Sequence, residues 1–228
     1  MGDFALVTEG VTDHAVLKNV LIGFYKEQRE PELTFEHPDP QAAQKFGGWT
    51  LVMNYLREKK FRQAFQFNDF VIVQVDTDVA EDPGFDVPKQ DANGPLTVAV
   101  LVEKVIERLK AEIGDADLAT YGERFLFAVG VEQIECWVLP LWFHDAKGEQ
   151  IANCIPRLGQ CPNLRDELDK KKLPWISEQR KEPLSYDEAS RDYRKRKSLL
   201  QQGPRNPSLG IFLADLMRRN IQLPPLDE

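Results

Sequence analysis

Cysteine is scarce in this chain of 228 residues: Cys136, Cys154 and Cys161 are the only three. Three is too few, and odd, for the disulfide framework that holds small secreted domains together, and this scarcity points to a reducing compartment. Histidine is equally rare. Cys154, Cys161 and His144 lack the paired short spacing of a zinc site. No apolar run reaches the roughly 18 to 20 residues that cross a bilayer. The opening Met1-Gly2-Asp3-Phe4 leads straight into a strand-like run, without the basic stretch and cleavage site of a signal peptide. Leu6 stands where an N-myristoylation motif needs Ser or Thr. The expected location is the cytoplasm, with no membrane partner. There is also no Gly-x-x-x-x-Gly-Lys-Ser/Thr loop to cradle a nucleotide phosphate.

What remains is ordinary globular material, 42% hydrophobic and 29% charged. The net charge of −8 is unevenly spread. Residues 1–149 carry 14 Lys/Arg against 26 Asp/Glu, and residues 150–228 carry 15 against 11. An acidic first part and a basic last part fit a metal-binding domain beside a phosphate-contacting segment, and equally fit solvated helix faces of opposite sign.

Short apolar runs alternate with helical periodicity. Phe4-Ala5-Leu6-Val7-Thr8 reads as a buried strand ended by Glu9-Gly10. Thr12 is a plausible N-cap for a helix with Leu17, Val20, Leu21 and Phe24 on one face. Leu33-Thr34-Phe35 is a second short strand, broken off by Pro38, Asp39 and Pro40. Gly47-Gly48 introduces a helix striped with Leu51, Val52, Tyr55 and Leu56. The clearest strand, Phe70 to Val75, runs directly into Asp76-Thr77-Asp78. A loop rich in Asp, Pro and Gly spans 79–95, and Pro95 starts a further helix bearing Val98, Leu101, Val102, Val105, Ile106 and Leu109. Phe125 to Val129 is the fourth strand, with helical sequence after Glu132. This order predicts an α/β fold, a parallel sheet of about four strands with helices on both faces, over residues 1–143. Residues 144–228 read as a basic helical extension packed on it, with helices near 186–201 and 207–220.

In an open parallel sheet, ligands bind beyond the carboxyl ends of the strands. Glu9, the pair Asp76 and Asp78, and Glu132 with Glu135 all follow strand ends. Carboxylates gathered without counter-charge repel, so such a group makes sense around a divalent cation, and an all-oxygen set selects Mg²⁺, Mn²⁺ or Ca²⁺. In Asp-x-Asp the second carboxylate returns to the side of the first if the backbone stays extended. Asp13 also suits the first turn of a helix, where the macrodipole favours negative charge, and Trp137, Ile134 and Leu139 read as core.

Thr8-Glu9-Gly10-Val11-Thr12-Asp13, then Val73-Gln74-Val75-Asp76-Thr77-Asp78, then Ile134-Glu135-Cys136-Trp137 resembles the Toprim domain, over about residues 4–143. It is most similar to the overcoming-lysogenization-defect (OLD) type of nuclease and to small stand-alone Toprim-like proteins of bacterial defence systems. The resemblance implies a Mg²⁺ (or Mn²⁺) site and phosphodiester hydrolysis of DNA or RNA, as an anti-phage or toxin-like effector. Glu9, Asp13, Asp76, Asp78 and Glu135 would ligate metal, with Glu9, Asp76 and Asp78 catalytic, and two metals can activate water and stabilise the leaving oxygen. Lys172, or its neighbour Lys171, would supply the positive charge that OLD-type enzymes place near the scissile phosphate. Arg194, Lys195, Arg196, Lys197 and Arg205 are the expected nucleic-acid contacts. The missing nucleotide loop means that the ATPase accompanying OLD-type nucleases is absent from this chain, so a partner ATPase or regulatory protein is expected, as is a homo-oligomer. Two other readings compete: a different Asp-x-Asp enzyme, a phosphatase or glycosyltransferase, and a non-catalytic Toprim-like binding or assembly module. A haloacid-dehalogenase phosphatase wants Thr or Val where Ala80 stands, and a glycosyltransferase leaves Glu9-Gly10 unexplained.

Overall fold

The computed structural model describes residues 2–39 and 47–225; the break expected at Pro40 lies outside them. The fold is α/β. In chain order the elements are β1 (Gly2–Val7), α1 (Val11–Phe24), β2 (Leu33–His37), α2 (Trp49–Arg57), α3 (Phe61–Phe67), β3 (Asn68–Asp76), β4 (Gln90–Asp91), β5 (Gly94–Pro95), α4 (Val98–Ile113), α5 (Asp115–Tyr121), β6 (Phe125–Gly130), α6 (Glu135–Trp142), α7 (Cys154–Gly159), α8 (Pro162–Lys170), α9 (Pro183–Ser190), α10 (Arg196–Gln202) and α11 (Pro207–Arg219). No helix of the described residues is long and apolar enough to cross a membrane.

The chain forms two compact units, Met1–Val11 with Glu32–Glu132, and Thr12–Pro31 with Gln133–Glu228. The division therefore falls elsewhere than the boundary at 143/144 read from the sequence. All but the first residue of α1 belongs with the C-terminal residues.

The first unit is built on a four-stranded parallel sheet in the order β2-β1-β3-β6. Phe4 to Val7, Val71 to Val73 and Phe125 to Val129 are buried, as expected of strands covered on both faces, whose residues read as continuous apolar runs. β1 pairs with β3 as far as Val7 opposite Val73, and β3 continues alongside β6 to Asp76 opposite Gly130. That overhang carries Gln74 and Asp76 past the end of β1. After β3 the loop folds back through buried Ala80, Phe85 and Val87. Arg108 of α4 donates to the carbonyls of Phe85 and Gly84, at 3.0 and 2.8 Å. The short antiparallel pair β4–β5 closes the loop, and α4 begins at Val98, capped by the Thr97 hydroxyl, which accepts from the Val100 N–H. Pro95 thus lies before the helix rather than at its start.

The second unit is helical. α1 is buried on nearly every side, from Ala15 and Val16 to Phe24. A Cβ on Gly23 would lie 1.8 Å from the Tyr193 carbonyl oxygen, so only glycine allows that approach. Trp137 stacks on Phe212 of α11 and donates to the Ser208 hydroxyl at 2.8 Å. The region expected as one helix near 186–201 is α9, a 3-10 turn at Arg191–Arg194, and α10.

The cysteines depart from expectation. Cys136 of α6 and Cys154 of α7 form a disulfide, and Cys161 is free and buried. Two cysteines 18 residues apart need no framework to be joined once helix packing brings them together. Their pairing removes the cysteine argument for a reducing compartment, and takes Cys154 out of any zinc set with Cys161 and His144.

Candidate metal and phosphate site

The turn after β1 is pinned locally. The Thr8 N–H donates to the His37 carbonyl at 2.8 Å, and the Thr8 hydroxyl donates to the Gly10 carbonyl at 2.8 Å. Gly48 donates its N–H to the Glu9 carbonyl at 2.7 Å, and a Cβ on Gly47 would lie 1.9 Å from that same oxygen. Two successive glycines are what let the chain before α2 approach this turn.

With the turn fixed, Glu9 meets the end of β3. Its Oε1 accepts from the Asp76 N–H at 2.7 Å, and its own N–H donates to Gln74 Oε1 at 3.1 Å. Gln74 is fully buried and turns its Nε2 to Asp76 Oδ1 at 2.9 Å. Glu9, Gln74 and Asp76 therefore form one closed hydrogen-bonded group at the carboxyl ends of adjacent strands. Asp76 is itself buried.

Asp78 stands apart from this group. β3 ends at Asp76, and Asp78 lies in the turn that follows, exposed, its Oδ1 accepting from the Val79 N–H at 2.9 Å. The extended backbone that would return both carboxylates to one side is broken at Thr77. The turn is instead tied to the end of β6. Thr77 N–H donates to the Gly130 and Glu132 carbonyls, Asp78 N–H donates to the Glu132 carbonyl at 3.0 Å, and Glu132 N–H donates to the Thr77 hydroxyl at 2.8 Å. Glu132 adopts a left-handed backbone, φ 59°, to make these bonds.

Lys89 completes this edge. Its ammonium donates to the Asp78 carbonyl at 2.9 Å and to Glu132 Oε1 at 3.1 Å. Sequence reasoning passed over Lys89, yet it is the only Lys or Arg between Arg62 and Lys104. A lone cation inside a long acidic loop is the signal that marks it.

Asp13 and Glu135 lie in the second unit. Asp13 is buried in the first turn of α1 and accepts from the Thr12 hydroxyl at 3.2 Å. Glu135, the first residue of α6, is 1% exposed. Its Oε1 accepts from the Tyr186 hydroxyl at 2.7 Å and from Lys181 at 3.1 Å, while its Oε2 has no hydrogen-bond partner among the described residues. Burial, followed by the charge and hydrogen bond of Glu135 and the charges of Asp13 and Glu178, pushes the Tyr186 phenol far above its ordinary value.

Lys172 is exposed just past α8, in a left-handed conformation with φ 56°, and Lys171 pairs with Glu188 at 2.6 Å. The expected nucleic-acid contacts serve partly as struts. Arg194 donates to Asn19 and to Asp187, and Arg196 donates to the Phe24 carbonyl and pairs with Glu27. Arg205 reaches the carbonyls of Phe143 and Asp145, both at 2.9 Å. Lys195 and Lys197 are exposed, with Lys195 paired to Asp192 at 2.8 Å.

Among the described residues no group of three or more His, Cys, Asp or Glu is disposed to hold a metal ion. Mg²⁺ is commonly held by only one or two carboxylates, with water and substrate phosphate filling its other positions, so the oxygen donors of Glu9 and Asp76 suit it in kind. Comparison with known proteins finds no matching family model, no matching curated protein and no matching solved structure.

Proposed function

We propose that this chain is a Toprim-like, metal-dependent nuclease that hydrolyses phosphodiester bonds of DNA or RNA at the Glu9–Asp76 edge of the sheet, as an anti-phage or toxin-like effector. The observation that carries this reading is the joining of Glu9 and Asp76, 67 residues apart, through a hydrogen bond and a shared buried Gln74. Two acidic side chains held together at the carboxyl edge of a parallel sheet are where such a fold binds ligands. Glu9 and Asp76 would hold Mg²⁺ or Mn²⁺, and Asp78, exposed in the turn that follows, lies outside the pair. The bound ion would lower the pKa of a water and balance charge on the phosphate. Gln74 fixes the Asp76 carboxylate and the backbone N–H of Glu9, the Asp76 N–H fixes the Glu9 carboxylate, and the Gly47-Gly48 approach holds the Glu9 carbonyl. Asp13 and Glu135 are assigned no role in this chemistry.

A second reading has its own observation. Glu9 and Asp76 already satisfy hydrogen bonds within the turn, which also serves a non-catalytic module that binds nucleic acid or a partner ATPase.

Plasmid, single-stranded DNA and tRNA incubated with purified protein and Mg²⁺ or Mn²⁺ separate the two. Metal-dependent cleavage, lowered at least a hundredfold in Glu9→Gln and Asp76→Asn, is the outcome expected of the nuclease. Equal absence of cleavage and of Mn²⁺ binding in wild type and variants leaves the binding module.

A further inference from the structure

We infer that Lys89 is the residue that takes the substrate phosphate at this edge, a role that the resemblance to OLD-type nucleases implies for Lys172 or Lys171; this rests on the nuclease reading. Between Asp76 and Pro95 the chain carries Asp78, Glu81, Asp82, Asp86 and Asp91 besides Asp76, and Lys89 is its single cation. A phosphate approaching so acidic an edge meets repulsion that a fixed positive group offsets.

Lys89 is fixed at three points. Its N–H donates to Glu81 Oε1 at 3.1 Å, and its carbonyl accepts from the Leu96 N–H at 2.9 Å. Its ammonium is held by the Asp78 carbonyl and Glu132 Oε1. An ammonium has three donors, and those two acceptors use two of them. The third N–H has no partner among the described residues, and the side chain remains 26% exposed. Lys89 is thus a cation already positioned beside Asp78 with one donor open to a phosphate oxygen. Lys172, exposed beyond a helix end, has no comparable anchoring.

Phosphate contact and loop shaping predict opposite responses to metal. Replacing a cation that contacts phosphate removes one charge from the nucleic-acid footprint and lets the acidic edge bind a divalent cation as well as before or better. Replacing a cation that only shapes the Asp78 turn loosens that turn and weakens cation binding.

The test measures anisotropy of labelled single-stranded DNA and RNA oligonucleotides against full-length protein with Ca²⁺, across a KCl series, together with Mn²⁺ titration of the protein alone. For Lys89→Gln the expected result is roughly tenfold weaker oligonucleotide binding, as for loss of one charge-assisted hydrogen bond. The slope of log K against log salt should fall by about 0.7 to 1, with Mn²⁺ affinity unchanged or raised. Lys89→Arg, which keeps the charge, should retain most of the binding. Unchanged oligonucleotide affinity and slope in Lys89→Gln overturn the inference, and so does a drop in its Mn²⁺ affinity. Wild type that binds Mn²⁺ through Glu9 but no oligonucleotide also overturns it while leaving the metal site standing. Wild type that binds neither ends the nuclease reading and the inference together.

Discussion

Gln74 has no exposed surface, yet it carries two hydrogen bonds at the candidate site, accepting from the backbone N–H of Glu9 and donating to the Asp76 carboxylate. Gln74→Leu keeps the volume and removes both bonds, leaving the Glu9 N–H and Asp76 Oδ1 each short of a partner. A loss of about 2–4 kcal/mol is expected, since a buried polar group stripped of its partner costs about 1–3 kcal/mol. Urea unfolding reads this directly, and a loss under 1 kcal/mol would mean that water serves these groups as well as the glutamine does. His37, at the end of β2, offers a test by pH. Burial, and then the charge of Lys60, lower its pKa from 6.5. The unfolded chain therefore takes up this proton at higher pH than the folded one. The stability linked to His37 is complete above about pH 6.5 and is lost as pH falls through the folded-state value. Unfolding midpoints at pH 7.5, 6.5 and 5.5 should drop more steeply for wild type than for His37→Asn; parallel curves would place the proton uptake elsewhere.

At the scale of elements, the bond between Cys136 and Cys154 ties α6 to α7. Closing a loop of about this length in the unfolded chain is worth about 3 kcal/mol in the chain-entropy account. The double variant Cys136→Ala/Cys154→Ala should unfold about that much more easily in oxidising buffer, and reductant should bring wild type toward it. Coincident transitions in all three samples would show that the bond adds nothing to stability. The strands were legible because burial on both faces writes itself as apolar runs, as in Phe4–Val7, Phe70–Val75 and Phe125–Val129. Glu9 and Asp76 were legible because each follows such a run directly. The Asp78 turn was not, because Asp-x-Asp spacing speaks for an extended backbone and Thr77 instead bonds to Glu132, 55 residues on. Lys89 was hidden for the same reason: its partner Glu132 is 43 residues away, and no local periodicity records that contact.

At the scale of the molecule, the two units divide the charge in the same sense as the two parts of the sequence, though less sharply. The unit of residues 1–11 and 32–132 holds 20 acidic against 10 basic residues, and the other holds 17 against 19. The same division decides what the chain can lose. α1 has 12 of its 14 residues buried, and its recorded partners within the second unit come late in the chain. Asn19 donates to the Asp187 carbonyl and the Ser190 hydroxyl at 2.9 and 2.7 Å, Gly23 lies against Tyr193, and the Arg196 guanidinium sits over the Phe24 ring. A fragment ending at residue 143 keeps all four strands and removes every one of those partners. Asn19 would then lose both acceptors of its side-chain amide and Phe24 the cation over its ring, and a buried polar group stripped of its partners costs about 1–3 kcal/mol. Residues 1–143 expressed alone should bind a hydrophobic dye and elute as aggregate in size-exclusion chromatography, although the sheet is complete. A monomeric fragment that binds no dye and unfolds cooperatively would show instead that α1 needs nothing beyond residue 143, and that the fold of the sheet ends where the apolar alternation ends.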